Sequence, residues 1–396
     1  MHVTLPGGDL ARLVGRIRGA VPARTTIPIL GHIHLTAADG LLTARGTSLD
    51  VEMTASVPAT VAIPGTRCIP ADVLGTVAAR LDKDDEVTLA AQRDTVKVST
   101  GRSRYALSTL SAEDFPASKP VGGTAVEFES DADALRALLA GPRIAMPSGD
   151  HRSYLNGIHL AVGPAPDGGG GAAVLLAVST DGHKLIAAWM PCPDGAAGLA
   201  DLGGTIIVPR HAVPLILDLL KAPGTGESEA GQVSIQISAS RIAVERGGTR
   251  LVSQLVDGTF PDWRRVVPQR CEHGLEVEPA EVIAAATRLM AVHTGRGHSV
   301  ALRPFAPGGR LPEGESPGAT ITAAGGERGA SGEEAVAARV LGAPRDVGVN
   351  AAYLAELLGL WPGEEPVTMT WQDAGSPIRI ERAGVSLLQV VMPMRI

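Results

Sequence analysis

The stretch "STDGHKL", Ser179 to Leu185, has the most enzyme-like spacing in the chain, because Asp181 and His183 could share a proton as an acid/base pair. No nucleophile is evident beside them. The simpler account is a tight turn, with Asp and Gly supplying the turn geometry and His183 packing on a surface. Asp82, Asp84, Asp85 and Glu86 form an acidic cluster, but they fall at a helix-to-strand turn, where a solvated loop is expected rather than the converging carboxylates a hard cation needs. Cys68, Cys192 and Cys271 are odd in number and far apart, which fits neither a disulfide framework nor a zinc cluster. The chain has no GxxxxGK[ST], HExxH or GxSxG motif, and its glycine runs do not sit between a strand and a helix. These residues call for no cofactor, no metal and no catalytic step.

If the chain does no chemistry, the elements that would position such residues become the informative part. At 396 residues the chain suits two or three domains. Apolar content of 44% can fill them, aromatics at 3% make the cores aliphatic, and Gly 48 with Pro 29 points to many turns. The N-terminus lacks a basic region followed by an apolar run, and no stretch reaches about 18 unbroken apolar residues. A soluble, cytoplasmic protein with no membrane partner is expected.

Similar segments recur after Ile69, Val208 and Val349: "IPADVLGTVAARL", "VPRHAVPLILDLL" and "VNAAYLAELLGLW". Their second residues, Pro70, Pro209 and Asn350, stand 139 and 141 residues apart, a domain-sized period. Each has aliphatics at helical spacing and is followed by alternating tracts broken by Gly, Asp or Ser, the signature of hairpins. A second helix candidate precedes each unit: "GDLARLVGRIRGAV", "DADALRALLAGPRIAM" and "EPAEVIAAATRLMAV". An acidic residue near each start suits the positive end of a helix. The pattern predicts an α+β fold triplicated along the chain, with domains at 1–122, 123–271 and 272–396. The Gly/Pro-rich runs from Gly163 and Ala306 read as enlarged hairpin loops.

A net charge of −7 excludes a protein that coats nucleic acid with its whole surface, but leaves room for a basic patch. Arg12, Arg16 and Arg18 share the first helix candidate, Arg24 follows it, and Arg80, Arg136, Arg143, Arg210 and Arg288 fall on or beside the other candidates. Recurrence on corresponding helices predicts a surface that attracts phosphates without reading bases.

Eight segments, in order along the whole chain, resemble the bacterial sliding clamp family, the beta subunit of DNA polymerase III. They are "TTIPILGHIHL", "GTSLDVEM", "GRSRYALSTLSAEDFP", "RSYLNGIHL", "STDGHKL", "IVPRHAV", "LVDGTFPDWRRVVP" and "VVMPMRI". The resemblance implies a head-to-tail homodimeric ring of clamp domains, helices lining the hole and sheets outside. Such a ring encircles duplex DNA and tethers the replicative polymerase without catalysing anything. Implied partners are double-stranded DNA, the DNA polymerase III alpha subunit, a clamp loader, and other polymerases and repair proteins bound through short linear peptides. A diverged second-copy clamp with a specialised partner or an inhibitor-resistance role is the alternative.

The resemblance also carries roles to positions. It places the dimer interface at Tyr105 and Leu107 on an edge strand, facing Ala291 and Val292. It implies a peptide cleft at Arg152, Tyr154, Leu155, Thr180, Gly182, His183, Lys184, Leu185, Pro261, Val266, Tyr353, Ser376, Pro377, Val390, Met392, Pro393, Met394 and Arg395. Soft Met and aliphatic side chains suit a pocket that accepts many partners in turn. Arg24 and Arg265 match DNA-contact positions, and Arg12, Arg80, Arg143 and Arg210 join them as helix-borne candidates.

Overall fold

The computed structural model describes residues 1–118, 120–123, 125–168, 171–221, 231–269, 271–292, 298–305, 318–323, 330–361 and 363–395. Helices form where the apolar spacing predicts them: α1 (Gly7–Arg18), α2 (Ala71–Ala78), α3 (Ala132–Ala140), α4 (Ala212–Leu219), α5 (Pro279–Val292) and α6 (Ala351–Leu358). In α1, Leu10, Leu13, Val14 and Ile17 recur every three or four residues and are buried on one face, while Asp9 and Arg16 with Arg18 complement the two ends of the helix dipole. At the start of α6 the Asn350 side chain accepts from the backbone N–H groups of Ala352 and Tyr353, satisfying donors the helix cannot. α1 packs against α2, and α5 against α6.

A short strand precedes each leading helix, His2–Pro6, Val126–Asp131 and Gly274–Val277, which the sequence reading passed over because four to six residues give little periodicity. The run from Ala306 is also more than one hairpin loop. Gly318–Ala323 is a largely buried strand paired with Ser299–Pro304 on one side and Gly332–Leu341 on the other. Its Ala-Thr-Ile-Thr alternation was hidden by the surrounding glycine and proline. Residues 306–317 and 324–329 lie outside the described residues, as do 169–170 in the loop between the paired strands Gly157–Pro164 and Ala173–Thr180.

The chain forms two compact units, Met1–Arg136 with Pro193–Val256, and Ala137–Cys192 with Asp257–Ile396. In the first unit, one sheet has the order Thr60–Ile63, His2–Pro6, Glu86–Gln92, Thr95–Thr100, Ser103–Ser108. The other runs Val126–Asp131, Gln232–Ile237, Arg241–Arg246, Thr249–Gln254, Val51–Pro58, Leu41–Thr47, His32–Ala38, Gly65–Pro70. In the second unit the strands Gly157–Pro164, Ala173–Thr180, Lys184–Pro191, Leu387–Val391, Ile378–Glu381, Val367–Thr370, Gly274–Val277, Gly332–Leu341, Gly318–Ala323, Ser299–Pro304 and Val347–Asn350 lie side by side in that order. The core is aliphatic: among the largest fully buried side chains of the described residues only Trp371 is aromatic.

Each unit contains the same junction. In the first, Thr249–Gln254 runs antiparallel to the start of Val51–Pro58, with Val252 opposite Glu52. In the second, Leu387–Val391 runs antiparallel to the start of Lys184–Pro191, with Val390 opposite Leu185. Both junctions join the last strand of one repeat to the fourth strand of the preceding repeat. The last strand of the first repeat, Ser103–Ser108, is instead the edge of its sheet.

Candidate functional site

The second junction carries the site. Lys184–Pro191 is entered through a turn in which Thr180 Oγ1 donates to the Lys184 carbonyl at 2.8 Å. The Asp181 carboxylate accepts from the backbone N–H of His183 at 2.8 Å and of Lys184 at 2.9 Å. Gly182 supplies the positive φ of 89° that the turn requires. Asp181 therefore caps the turn through its own backbone, and the His183 ring stacks on Tyr353 at 5.9 Å. The acid/base pair conceivable from the sequence is not assembled.

Beside this turn opens a cavity of about 180 Å³. Its walls bring together ten of the cleft positions named from sequence. Thr180, Gly182, Lys184 and Leu185 come from the turn and its strand, and Val390 and Met392 from the end of the last strand. Arg152 and Leu155 come from the short helical turn Ser153–Leu155 and its cap, and Pro261 and Val266 from the loop beyond Asp257. Leu155, Leu185 and Val390 are buried, while Met392 is 38% exposed at the mouth. The sequence reading missed Asp262 and Trp263, which complete the wall.

Polar groups on the wall are held in place. Arg152 donates through Nε and Nη2 to Asp150 at 3.0 and 2.7 Å, and this guanidinium keeps the Asp150 carboxyl well below the usual carboxylate range. Lys184 is 7% exposed, lies 5.0 Å from the Tyr353 ring centre and donates to Glu356 on α6. Below the loop, Phe260 stacks on His159 at 4.7 Å. Burial, and secondarily Arg264, pushes the His159 imidazole down to about 4, so it packs as a neutral ring. The Arg264 guanidinium itself covers the Trp263 ring at 4.6 Å.

The remaining cleft positions lie beside the cavity rather than in its wall. The N–H of Met392 donates to the His183 carbonyl at 2.8 Å, and that of Met394 to Gly348 at 2.8 Å, which fixes the tail carrying half-buried Pro393 and exposed Arg395. Tyr154 is half-buried against Gly258, where an added Cβ would come within 3.2 Å of it. Ser376 donates to Asp373 at 2.8 Å in the turn before Ile378–Glu381, and Pro377 follows, half-buried.

The candidate DNA arginines divide by what already holds them. Arg12 pairs with Asp9 at 2.7 Å, Arg80 donates to the Thr76 carbonyl at 3.4 Å, and Arg210 is exposed just before α4. Arg24, Arg143 and Arg265 are exposed, with no side-chain partner among the described residues. On the edge strand Tyr105 is 42% exposed and Leu107 is 6% exposed, so of the two side chains named there Tyr105 alone is open to solvent. Ala291 is exposed on the last turn of α5, which ends at Val292. Among the described residues no cluster of His, Cys, Asp or Glu is placed to hold a metal, and no helix is long and apolar enough to cross a membrane.

Comparison with known proteins agrees with this architecture. Residues 1–119 match the model of the DNA polymerase III beta subunit N-terminal domain, and residues 130–262 that of its central domain. Over the full length of both chains, the sequence is 30% identical to the beta sliding clamp of Caulobacter vibrioides and 31% identical to that of Escherichia coli K12. The chain belongs to the beta sliding clamp family of DNA polymerase III beta subunits. A crystal structure of the Caulobacter crescentus beta sliding clamp superposes over all of both chains with a TM-score of 0.88 at 29% identity. As a member of the beta clamp family the chain is a non-catalytic processivity subunit.

Proposed function

We propose that two copies of this chain close head-to-tail into a ring that encircles duplex DNA and tethers DNA polymerase III, whose alpha subunit docks a short linear peptide in the cleft beside Lys184. The observation that carries the ring is the repeated junction. Two last strands are paired inside the chain, and the third, Ser103–Ser108, keeps an open edge. An open edge is a liability unless something pairs with it, and a heterologous contact that closes after two copies provides that partner. By the register of the two internal junctions, Ser103–Leu107 would lie antiparallel to the first five residues of Gly332–Leu341 in the second copy. Exposed Arg104 would then come close to Glu333 and Glu334.

The domain boundaries 1–122, 123–271 and 272–396 fit this scheme, supported by the matched segments 1–119 and 130–262. Arg24, Arg143 and Arg265 are the favoured phosphate contacts, because no ion pair has to break first; Arg12, Arg80 and Arg210 are secondary. A clamp loader would open the ring. Other polymerases and repair proteins would share the cleft, all within the cytoplasm. The deciding experiment is fluorescence polarisation with a labelled clamp-binding peptide from the polymerase, with and without Met392→Ala. Saturable binding that weakens in the variant is expected; no binding by the folded wild type would overturn the cleft assignment. Light scattering tests the ring separately: Tyr105→Ala should move the dimer toward monomer at low concentration.

A further inference from the structure

Glu356 stands outside the cavity wall, yet it touches the one lysine that lines it. Lys184 is 7% exposed, its Nζ donates to Glu356 Oε2, and Asp181 Oδ2 lies 3.9 Å away on the other side. Asp181 Oδ1 already accepts two backbone N–H groups. Glu356, by contrast, keeps a side chain that is 44% exposed, and its Oε1 carries no bond among the described residues. One cation between two carboxylates leaves this cluster with a net charge of −1 and one free acceptor oxygen. Glu356 and Tyr353 stand three residues apart on α6, hence on the same face of the helix. A ligand side chain lying beside Tyr353 therefore meets a carboxylate.

We propose that Glu356 sets the charge preference of the cleft: at the peptide position beside Tyr353 it accepts a basic or amide side chain and rejects an acidic one. This rests on the peptide-binding reading above. The neighbouring charges do not cancel the effect, because Lys184 is neutralised by its own two partners and Arg152 by Asp150. Glu356 also acts as a positioning residue, since it anchors the Lys184 ammonium beside the Tyr353 ring.

The test uses the labelled polymerase peptide in a series with each position replaced in turn by Lys and by Glu. At one position the Lys peptide should bind the wild type about tenfold tighter than the Glu peptide. Glu356→Gln should shrink that ratio to about threefold or less, while Glu356→Asp retains it. In the wild type the ratio should also fall as salt is raised. An unchanged ratio in Glu356→Gln, with the parent peptide still bound, overturns the inference and leaves the cleft reading standing. Failure of the folded wild type to bind the parent peptide overturns the cleft reading itself. Should Glu356→Gln fail to fold, a salt-insensitive ratio in the wild type overturns the inference.

Discussion

The two internal junctions share a backbone pattern and differ in what lines them. Thr47 Oγ1 bonds the Val51 carbonyl at 2.9 Å, as Thr180 Oγ1 bonds that of Lys184 at 2.8 Å. "IHL" recurs at Ile33–Leu35 and Ile158–Leu160, and each histidine packs on the phenylalanine of a Phe-Pro pair, His34 on Phe115 and His159 on Phe260. Yet the first junction encloses only about 40 Å³ and the second about 180 Å³. At matching positions the first has Arg45, Glu52 and Gln254, and the second Val178, Leu185 and Met392. Arg45 donates to the Pro116 carbonyl at 2.8 Å, Ser118 to Glu52 at 2.5 Å and Gln254 to Leu49 at 3.3 Å, and these bonds draw the loop down over the hollow. With aliphatic residues at those positions the second hollow stays open and apolar. The same joint is thus closed by polar side chains in one unit and left open by aliphatic ones in the other, with no change of backbone plan.

The largest effect should come from placing the first junction's residue in the second. Leu185→Glu puts a carboxylate where the side chain is 2% exposed, opposite Val390. Urea unfolding should show a loss of roughly 3 kcal/mol or more, with peptide binding abolished. Normal binding by this variant would break the comparison.

Protonating His159 should come next. The folded protein holds its pKa at about 4 against 6.5 for the free group, so unfolding takes up a proton between those values. The stability is whole above pH 6.5 and is lost as pH falls toward 4, by up to about 3 kcal/mol. Unfolding curves across this range should lose part of that slope in His159→Leu. His34, also lowered by burial with Arg45 nearby, gives the same sign in the first junction.

Met392→Gln, the residue at the matching place in the first junction, should weaken the labelled peptide about tenfold and leave the melting temperature unchanged. The smallest effect concerns the turns. Leu49 adopts φ 79° where its counterpart Gly182 has φ 89°, so a side chain sits in the left-handed region. Leu49→Gly should raise stability by about 1 kcal/mol and Gly182→Ala should lower it by a similar amount, measured by urea unfolding.

The helices were legible from sequence because amphipathic spacing is a local property, and the Thr-Asp-Gly turn because its residues bond within the turn itself. The short leading strands and Gly318–Ala323 were not. A few alternating residues acquire meaning only when a partner strand fixes which face is buried. The cleft could be assembled residue by residue from family likeness. Trp263, Asp262 and Glu356 were nonetheless missed, since their part depends on which loop folds over which strand end. Leu107 was named with Tyr105 as an interface position, and its 6% exposure within the chain follows from the pleat of the edge strand, which a strand partner fixes.

By itself the sequence determined the triplication, the aliphatic cores and the helix faces, all of which follow from residue type and spacing along one dimension. Only the tertiary structure decided which strands meet at the two junctions, which junction stays open, and which arginines keep their charge unspent. Those outcomes depend on contacts between residues far apart in the chain, such as Lys184 with Glu356, 172 positions apart, and no local pattern encodes them.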